Sequence, residues 1–516
     1  DMQIQKLHIT DDYMINDVFN SDFIPATIGG ESLYGYPMRT VISESNNTNW
    51  DKAVLAMANV NIPYTYEKSL SLPYNVLHTD LKWSTNTEDK KRASKYIESI
   101  LLMLRTKVLL NNGDLSKTEI VWFYPASMTQ NRFNKFKAEW ENTFATLFGA
   151  PISNIIAASE SVAPYYYHKA KKGATSTVVS VDIGGGTTDV LIVDKGEPKY
   201  LTSFRFAANT IFGDGYSYDS DSNGFVNKYK DIITNQLETN NLRGLKAVLK
   251  SVLDKRVSTD VIAFLFSLAS NKEIKKEKVE INFAKMLADD NRGKYVVILF
   301  YVAIVYHIAK LMKAKGFDMP RHMTFSGNGS KVLNILSTND ATLVRLTKII
   351  FEEIYAQSYS IDGLDIIRPA NSKESTCKGG IILTPFQSQD YGEIKDMKTI
   401  LIGTDNEKFA DVHMTYNDVT EADLDSVVDV IKEYIEFTFK LDKKFSFYDN
   451  FDVDRSIMNK VKDLCYRDIR TYLENGLAIK KSEIAQDGAD DNLEETLFFY
   501  PLVGIINAVV RNIYQM

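Results

Sequence analysis

The 516-residue chain is poor in the residues that build specialised scaffolds. It has two cysteines, Cys377 and Cys465, far apart and in no paired motif. A disulfide framework is therefore excluded, and a reducing, cytoplasmic setting is expected. Its six histidines are scattered, and no Cys/His pair has zinc spacing, so no structural metal site is expected. There is no basic excess: a net charge of −7 gives no general attraction to nucleic acid or anionic lipid. Neither is expected as a partner. The longest apolar run, YVVILFYVAIVYHIA at 295–309, falls short of the roughly 20 residues a membrane span needs. It reads as a buried helix, so no membrane span is expected. No secretory signal opens the chain, because DMQIQKLHITDD is polar and acidic where a basic stretch and an apolar one should follow each other. The first residue is not methionine, as expected of a piece of a longer protein.

What is present is ordinary in bulk: 44% hydrophobic and 25% charged residues, as in soluble globular proteins. The length implies roughly two to four domains. Strand-like and helix-like segments alternate in the first 200 residues. RTVISES (39–45) and NVNIPYTYE (59–67) read as strands. EDKKRASKYIESILLMLRTKVLL follows with apolar residues at helical spacing. TEIVWFYPAS reads as a strand ending at Pro125, and the helix after it has Thr129 as start and Gly149 as stop. ISNIIAASESVAPYYYHKAKK reads as a strand entering a helix. Alternation of this kind argues for an α/β sheet covered on both faces. Beyond residue 220 the pattern is mostly helical. A helical C-terminal appendage is expected from a boundary near 385–395, with AQDGADDNLEE as a solvated acidic loop.

One stretch stands out. In VVSVDIGGGTTDVLIV (178–193) two β-branched runs flank Gly184, Gly185, Gly186, Thr187 and Thr188. Asp182 and Asp189 bracket the break. Such a hairpin lets its glycines take positive φ and lets a bulky ligand approach the amides, which form a concave anion site. The two aspartates could hold Mg²⁺ or orient a water. The alternative is a plain glycine-rich hairpin with solubilising aspartates. Two other glycine loops are excluded, since neither G-x-G-x-x-G entering a helix nor G-K-[ST] is present.

DIGGGTTDV at 182–190 resembles the second phosphate motif of the actin, heat-shock-chaperone and sugar-kinase ATPase superfamily. It is most similar to DnaK-type chaperones and bacterial actin-like proteins. Further segments resemble that family's in the same order: IVWFYPASMTQNRFNKFKAEWENTFATLFGA, IIAASESVAPYYYH, FAANTIFGDGYSYD, RHMTFSGNGSKVLNIL and NSKESTCKGGIIL. The resemblance spans roughly residues 20–385. It implies an actin-like (ribonuclease-H-like) fold of two lobes, 1–170 and 171–385, with 386–516 as an additional helical region. It also implies ATP or ADP with Mg²⁺, an unidentified protein partner, and phosphoryl transfer to water as the reaction. The implied catalytic carboxylates are Asp182, Asp189 and Glu160, with Asp182 at the metal. The implied nucleotide contacts are Gly184, Gly185, Gly186, Thr187, Thr188 and Gly213. Gly327, Asn328 and Gly329 would lie beside base and ribose, at a helix N-terminus whose dipole favours the nucleotide. Lys82 in TDLKWS would match the family's phosphate lysine, or be a solvated lysine.

Two departures accompany the resemblance. The family's first phosphate hairpin, D-x-G-T-like, has no counterpart before FIPATIGG at 23–30, and is expected upstream of Asp1 or lost. After residue 385 no series of short alternating strands suggests the chaperones' peptide-binding sandwich. The candidate functions are a nucleotide-driven ATPase switch, an actin-like filament or scaffold, and a pseudo-ATPase interaction module. A sugar kinase is a weaker fourth.

Overall fold

Among the described residues, short β-branched runs make three sheets, and the apolar helices fill the space around them. The computed structural model describes residues 8–10, 13–15, 38–45, 53–61, 75–78 and, with short exceptions, 81–516, the longest exception being 383–399. FIPATIGG, Lys82, Thr129 and the expected boundary at 385–395 lie outside the described residues.

The first sheet contains β1 (His8–Thr10), β2 (Tyr13–Ile15), β3 (Met38–Ser45), β4 (Ala53–Asn61) and β5 (Asn75–His78), in the order β1-β2-β4-β3-β5. β3 agrees with the expected strand; β4 begins earlier than expected and ends at Asn61. Helix α1 (Thr87–Leu110) starts at Asn86, whose side chain accepts the Glu88 N–H at 2.8 Å, and it buries Ile97 and Leu101. Strand β6 (Ile120–Tyr124) pairs in parallel with β7 (Ile155–Ser159), and helix α2 (Gln130–Phe148) lies between them in sequence. Gly149 ends α2 at φ +63°, donating its N–H to Ala145 O at 3.0 Å, which is the C-cap geometry glycine permits. Helix α3 (Ala163–Lys172) follows β7.

The central sheet carries the hairpin. Strands β8 (Val178–Ile183), β9 (Thr188–Asp194), β10 (Glu197–Phe204), β11 (His322–Ser326) and β12 (Asp365–Ile367) lie in the order β10-β9-β8-β11-β12. β8, β9 and β10 are successively antiparallel, whereas β11 and β12 run parallel to β8. The order 3-2-1-4-5 with the second strand reversed is the ribonuclease-H-like arrangement that the resemblance implied. Both faces are covered, and the two-residue period of a strand sorts them. Val178, Leu191, Val193 and Leu201 pack with Val162 and Tyr165 and the aromatic residues of α1, β6 and α2. Val179, Val181, Ile183, Val190 and Ile192 face the helical side.

After β10 comes the short helix α4 (Ala208–Phe212), and further on the expected buried helix, α5 (Lys294–Ala314). Every residue of α5 from Lys294 to Ala309 is buried. It is the one helix among the described residues long and apolar enough to cross a membrane, and 94% of its apolar window lies inside the protein. Helix α6 (Ser372–Ile382) packs along α3; Gly379 and Gly380 sit where a Cβ would strike Ala163 O and the Phe123 ring.

The C-terminal helices α7 (Glu421–Phe445), α8 (Ile469–Asp487) and α9 (Phe499–Ile513) do not stand apart as an appendage. They share one apolar cluster with β8, β9, β10 and α5. Phe499 stacks on Phe204 at 4.0 Å and on Phe206 at 4.6 Å, and Tyr434 donates to Leu299 O at 2.6 Å. The helical stretch before α8 breaks at Asp468, φ +55°, which separates Met458–Cys465 from α8. Inside α8, Gly476 stands where a Cβ would meet the Tyr216 hydroxyl and Tyr500. Close helix packing explains a glycine there despite its cost to helix stability. The end of the expected solvated acidic loop is also buried. Glu494 pairs with the buried Lys480 at 2.7 Å, and Glu495 accepts the Arg205 N–H at 2.6 Å.

His307 of α5 is fully buried between Phe204, Phe498 and Phe499, and neither ring nitrogen has a hydrogen-bond partner. Burial holds its pKa down, at about 3. The depressed value belongs to the folded state, so the unfolded chain takes up the proton first. Stability present above about pH 6.5 is therefore lost as pH falls toward 3. His307→Phe should raise unfolding stability at pH 7 by about 1–3 kcal/mol by removing orphaned polar atoms. The gap over the wild type should widen by about 1.4 kcal/mol per pH unit below 6.5. Urea unfolding of both proteins at pH 7 and 5 checks this; a gap independent of pH refutes the neutral buried imidazole.

Candidate functional site

The hairpin ends β8 and restarts the chain in β9 with Asp182 directly opposite Asp189. Facing residues in an antiparallel pair have Cβ atoms about 4.5–5.5 Å apart. Asp182 and Asp189 share the pleat face of Val178, Leu191 and Val193, which is the face packed against α3. Both carboxylates are buried, at 8% and 2% exposure. Glu160 lies partly exposed on the turn between β7 and α3, its N–H donating to Tyr124 O at 2.9 Å. Val162, two residues on, packs in the same cluster as Val178 and Leu191. Glu160 thus stands on the side to which the aspartate pair points.

The tip corrects one expectation about the glycines. None of Gly184, Gly185 and Gly186 has a positive φ. Gly184 is held by its own turn: its N–H donates to Thr187 O at 2.8 Å, and a Cβ would come within 3.1 Å of that oxygen. Gly185 and Gly186 are exposed. A Cβ on Gly185 would make only ordinary contacts, the nearest at 3.6 Å, and one on Gly186 would meet nothing within 4 Å. Neither backbone conformation nor internal crowding requires glycine at these two positions.

Thr187 is partly exposed at the tip. Thr188, expected at the phosphates, is fully buried on the opposite face, and its hydroxyl donates to Phe206 O at 2.6 Å. That bond ties the hairpin to the chain leaving β10. Two amides at the start of α4 bind the tip as well: Ala208 N–H to Gly184 O at 3.3 Å and Asn209 N–H to Gly185 O at 2.8 Å. Gly213 ends α4 where a Cβ would collide with Asn209 O.

The second glycine motif comes directly onto the hairpin. Gly327 has φ +79°, and a Cβ there would strike the Asp182 carboxylate and Ile183 O. A Cβ on Gly329 would strike Gly184 O. Asn328 begins a five-residue 3₁₀ helix, Asn328–Val332, followed by the four-residue helix Leu333–Leu336. The two pieces run on without a gap from Asn328 to Leu336, and their start lies against the hairpin. Ser330 donates its hydroxyl to Gly327 O at 2.7 Å, closing the turn.

Among the described residues no group of three acidic, histidine or cysteine side chains could hold a metal on its own. The two facing carboxylates of Asp182 and Asp189 still suit Mg²⁺, which commonly takes one or two carboxylates and fills its shell with phosphate and water.

Beside Gly186 lies a cluster that local sequence patterns did not reveal. Arg205 pairs with Glu483 and lies near Glu495, and Ser258 donates to Asp214 at 2.8 Å. Burial would lower the Arg205 pKa, but the carboxylates of Glu495 and Glu483 outweigh it and keep the guanidinium charged. The one available signal was Gly476, a glycine inside a helical pattern.

No family model and no curated protein matches the chain. Among solved structures it is similar to the ethanolamine utilization protein EutJ from Carboxydothermus hydrogenoformans, at 12% identity and a TM-score of 0.32, covering 71% of this chain and 95% of that one. It is also similar to MreB5 of Spiroplasma citri, at 13% identity and a TM-score of 0.31. The ADP-bound structure covers 68% of this chain and 90% of MreB5, and the AMPPNP-bound one 67% and 88%. The fold follows from the strand order of the central sheet, β10-β9-β8-β11-β12.

The glycine geometry yields a paired test. Gly329→Ala should lower unfolding stability by about 1–3 kcal/mol, because its Cβ must displace backbone. Gly186→Ala should leave stability unchanged or raise it by up to about 1 kcal/mol. Thermal unfolding of the two variants decides, and equal effects would refute the difference in crowding.

Proposed function

We propose that this chain is an ATP- or ADP-binding protein of the actin and heat-shock-chaperone-like superfamily, with Mg²⁺ as its metal, acting as a nucleotide-driven conformational switch. One observation carries the reading. Gly185 and Gly186 sit at an exposed tip where nothing in the protein itself requires glycine. Something approaching from outside supplies the reason, and a phosphate chain lying on hairpin amides is the ligand that such a tip suits. Asp182 and Asp189 would hold the hydrated metal. Carboxylates directly opposite one another repel, and a divalent cation beside them relieves that repulsion. Bound Mg²⁺ supplies neutralisation of phosphate charge. Glu160, on the facing side, is the group to orient an attacking water, so the reaction assigned is phosphoryl transfer to water. Gly327 and Gly329 act by letting their turn press on the hairpin, and so fix its shape. Both cysteines are unbridged, in keeping with a reducing, cytoplasmic setting.

A second reading is a scaffold or pseudo-ATPase that binds nucleotide without turnover. One observation favours it: among the described residues β6 pairs with β7 alone, and none of these residues adds a phosphate hairpin to that pair. Phosphate release separates the two readings.

The test of binding is thermal unfolding with ATP or ADP, with and without Mg²⁺. At a hundredfold excess over its Kd, nucleotide should stabilise the fold by about 2.7 kcal/mol. Gly186→Val should abolish that gain while leaving the unliganded melting temperature in place, and Asp182→Asn should remove its dependence on Mg²⁺. A wild-type melting temperature unmoved by either nucleotide would sink the proposal.

A further inference from the structure

A polar row crosses the central sheet at the hairpin end. Ser203 of β10 lies opposite Asp189 of β9, Asp189 opposite Asp182 of β8, and Asp182 in register with Ser326 of β11. Residues in register on neighbouring strands share a pleat face, so all four belong to the face that carries Leu191 and Leu201. All four are buried, Ser203 at 1% exposure. The Ser326 hydroxyl is used within the fold, donating to Val181 O at 3.4 Å. The Ser203 hydroxyl is not: among the described residues it has no hydrogen-bond partner.

A buried hydroxyl left unpaired destabilises the fold. Alanine at 203 would avoid that cost, and valine would suit a strand better. The preceding residue, Thr202, also has a buried hydroxyl without a partner. It stands opposite Val190, however, on the face turned to the apolar helical side. Ser203 differs in its neighbour. Facing side chains of an antiparallel pair have Cβ atoms about 4.5–5.5 Å apart, so a change of rotamer brings the hydroxyl to the Asp189 carboxylate. A hydroxyl both donates and accepts, whereas an ionised carboxylate only accepts.

We infer that Ser203 is a positioning residue for the metal of the bound nucleotide: its hydroxyl donates to Asp189 and accepts from a water in the Mg²⁺ hydration shell. The inference rests on the nucleotide reading above. In the liganded protein the hydroxyl gains the hydrogen bonds that the unliganded fold does not give it. It holds the Asp189 carboxylate in one orientation, and its cost to the unliganded fold is offset only when the metal is present. Partners of metal-binding groups commonly alter metal affinity about 10–100-fold.

The test is a Mg²⁺ titration of ADP binding to the whole chain, read as the shift in melting temperature, for wild type, Ser203→Ala, Ser203→Thr and Thr202→Val. With ADP no turnover enters the readout. Ser203→Ala should raise the Mg²⁺ concentration at half effect about 10–100-fold. Its unliganded melting temperature should stay in place or rise, because an orphaned hydroxyl is removed. A merely structural serine would give the reverse, a lower unliganded melting temperature with the Mg²⁺ midpoint unmoved. Ser203→Thr keeps the hydroxyl and should restore most of the wild-type midpoint, while Thr202→Val should leave it unchanged. If the extra methyl of Ser203→Thr prevents folding, the opposite signs in Ser203→Ala decide alone. A Ser203→Ala midpoint equal to wild type, or an equal shift in Thr202→Val, overturns the inference. Either result leaves the nucleotide reading standing as long as wild type shows a Mg²⁺-dependent shift with ADP. A wild type unmoved by ADP at every Mg²⁺ concentration sinks that reading, and the role of Ser203 with it.

Discussion

A helix apolar on every face has to be covered on every face, and α5 imposes that condition on the whole molecule. From Lys294 to Ala309 it has no solvated side. Burying each large apolar side chain is worth about 1.5–3 kcal/mol, so leaving one flank of α5 bare would forfeit much of the protein's net stability. The central sheet covers one flank through Phe204 against His307 and Phe325 against Tyr301. Other flanks are covered by α7 and α9, through Tyr434, Phe498 and Phe499. For this reason the C-terminal helices belong to the same core as the sheet.

That core also fixes what surrounds the hairpin. Phe204 and Phe206, on either side of Arg205, stack on Phe499. The chain leaving β10 is thereby held against α9, and Arg205 is held between Glu483 and Glu495. Lys480 with Glu494 forms a buried pair close by. Pairs of this kind add little net stability, but losing one partner is costly. They work mainly as constraints on register, fixing where α8 stands relative to the hairpin tip.

Much of this was legible in the sequence, for a clear physical reason. The runs at 178–183 and 190–193 are mostly β-branched and apolar, with Ser180 and Asp182 the polar exceptions, as expected of a strand covered on both faces. Their glycine break had to be a turn. The helices at 87–110 and 130–148 carry a 3.6-residue apolar period, and Gly149 marks the stop of the second at positive φ. Other features were not legible. A glycine triplet suggests positive φ, yet all three residues lie elsewhere, because a hairpin of this length closes without it. Thr188 reads as a ligand contact, but strand alternation puts it on the face opposite Asp189. Glu494 and Glu495 read as solvated because their neighbours are charged; their partners Lys480 and Arg205 are distant in sequence or in another element.

The sequence by itself determined the hairpin, the pairing of Asp182 with Asp189 across it, and the buried character of α5. These follow from local chemistry: β-branching, glycine placement and an unbroken apolar run. Tertiary structure alone decided that Gly327 and Gly329 lie on the hairpin, and that Gly185 and Gly186 face open space. It also decided that helices beginning at residue 421 stand beside a turn near residue 186. Those outcomes depend on which surfaces meet when the core closes, and contacts between residues hundreds of positions apart leave no local pattern.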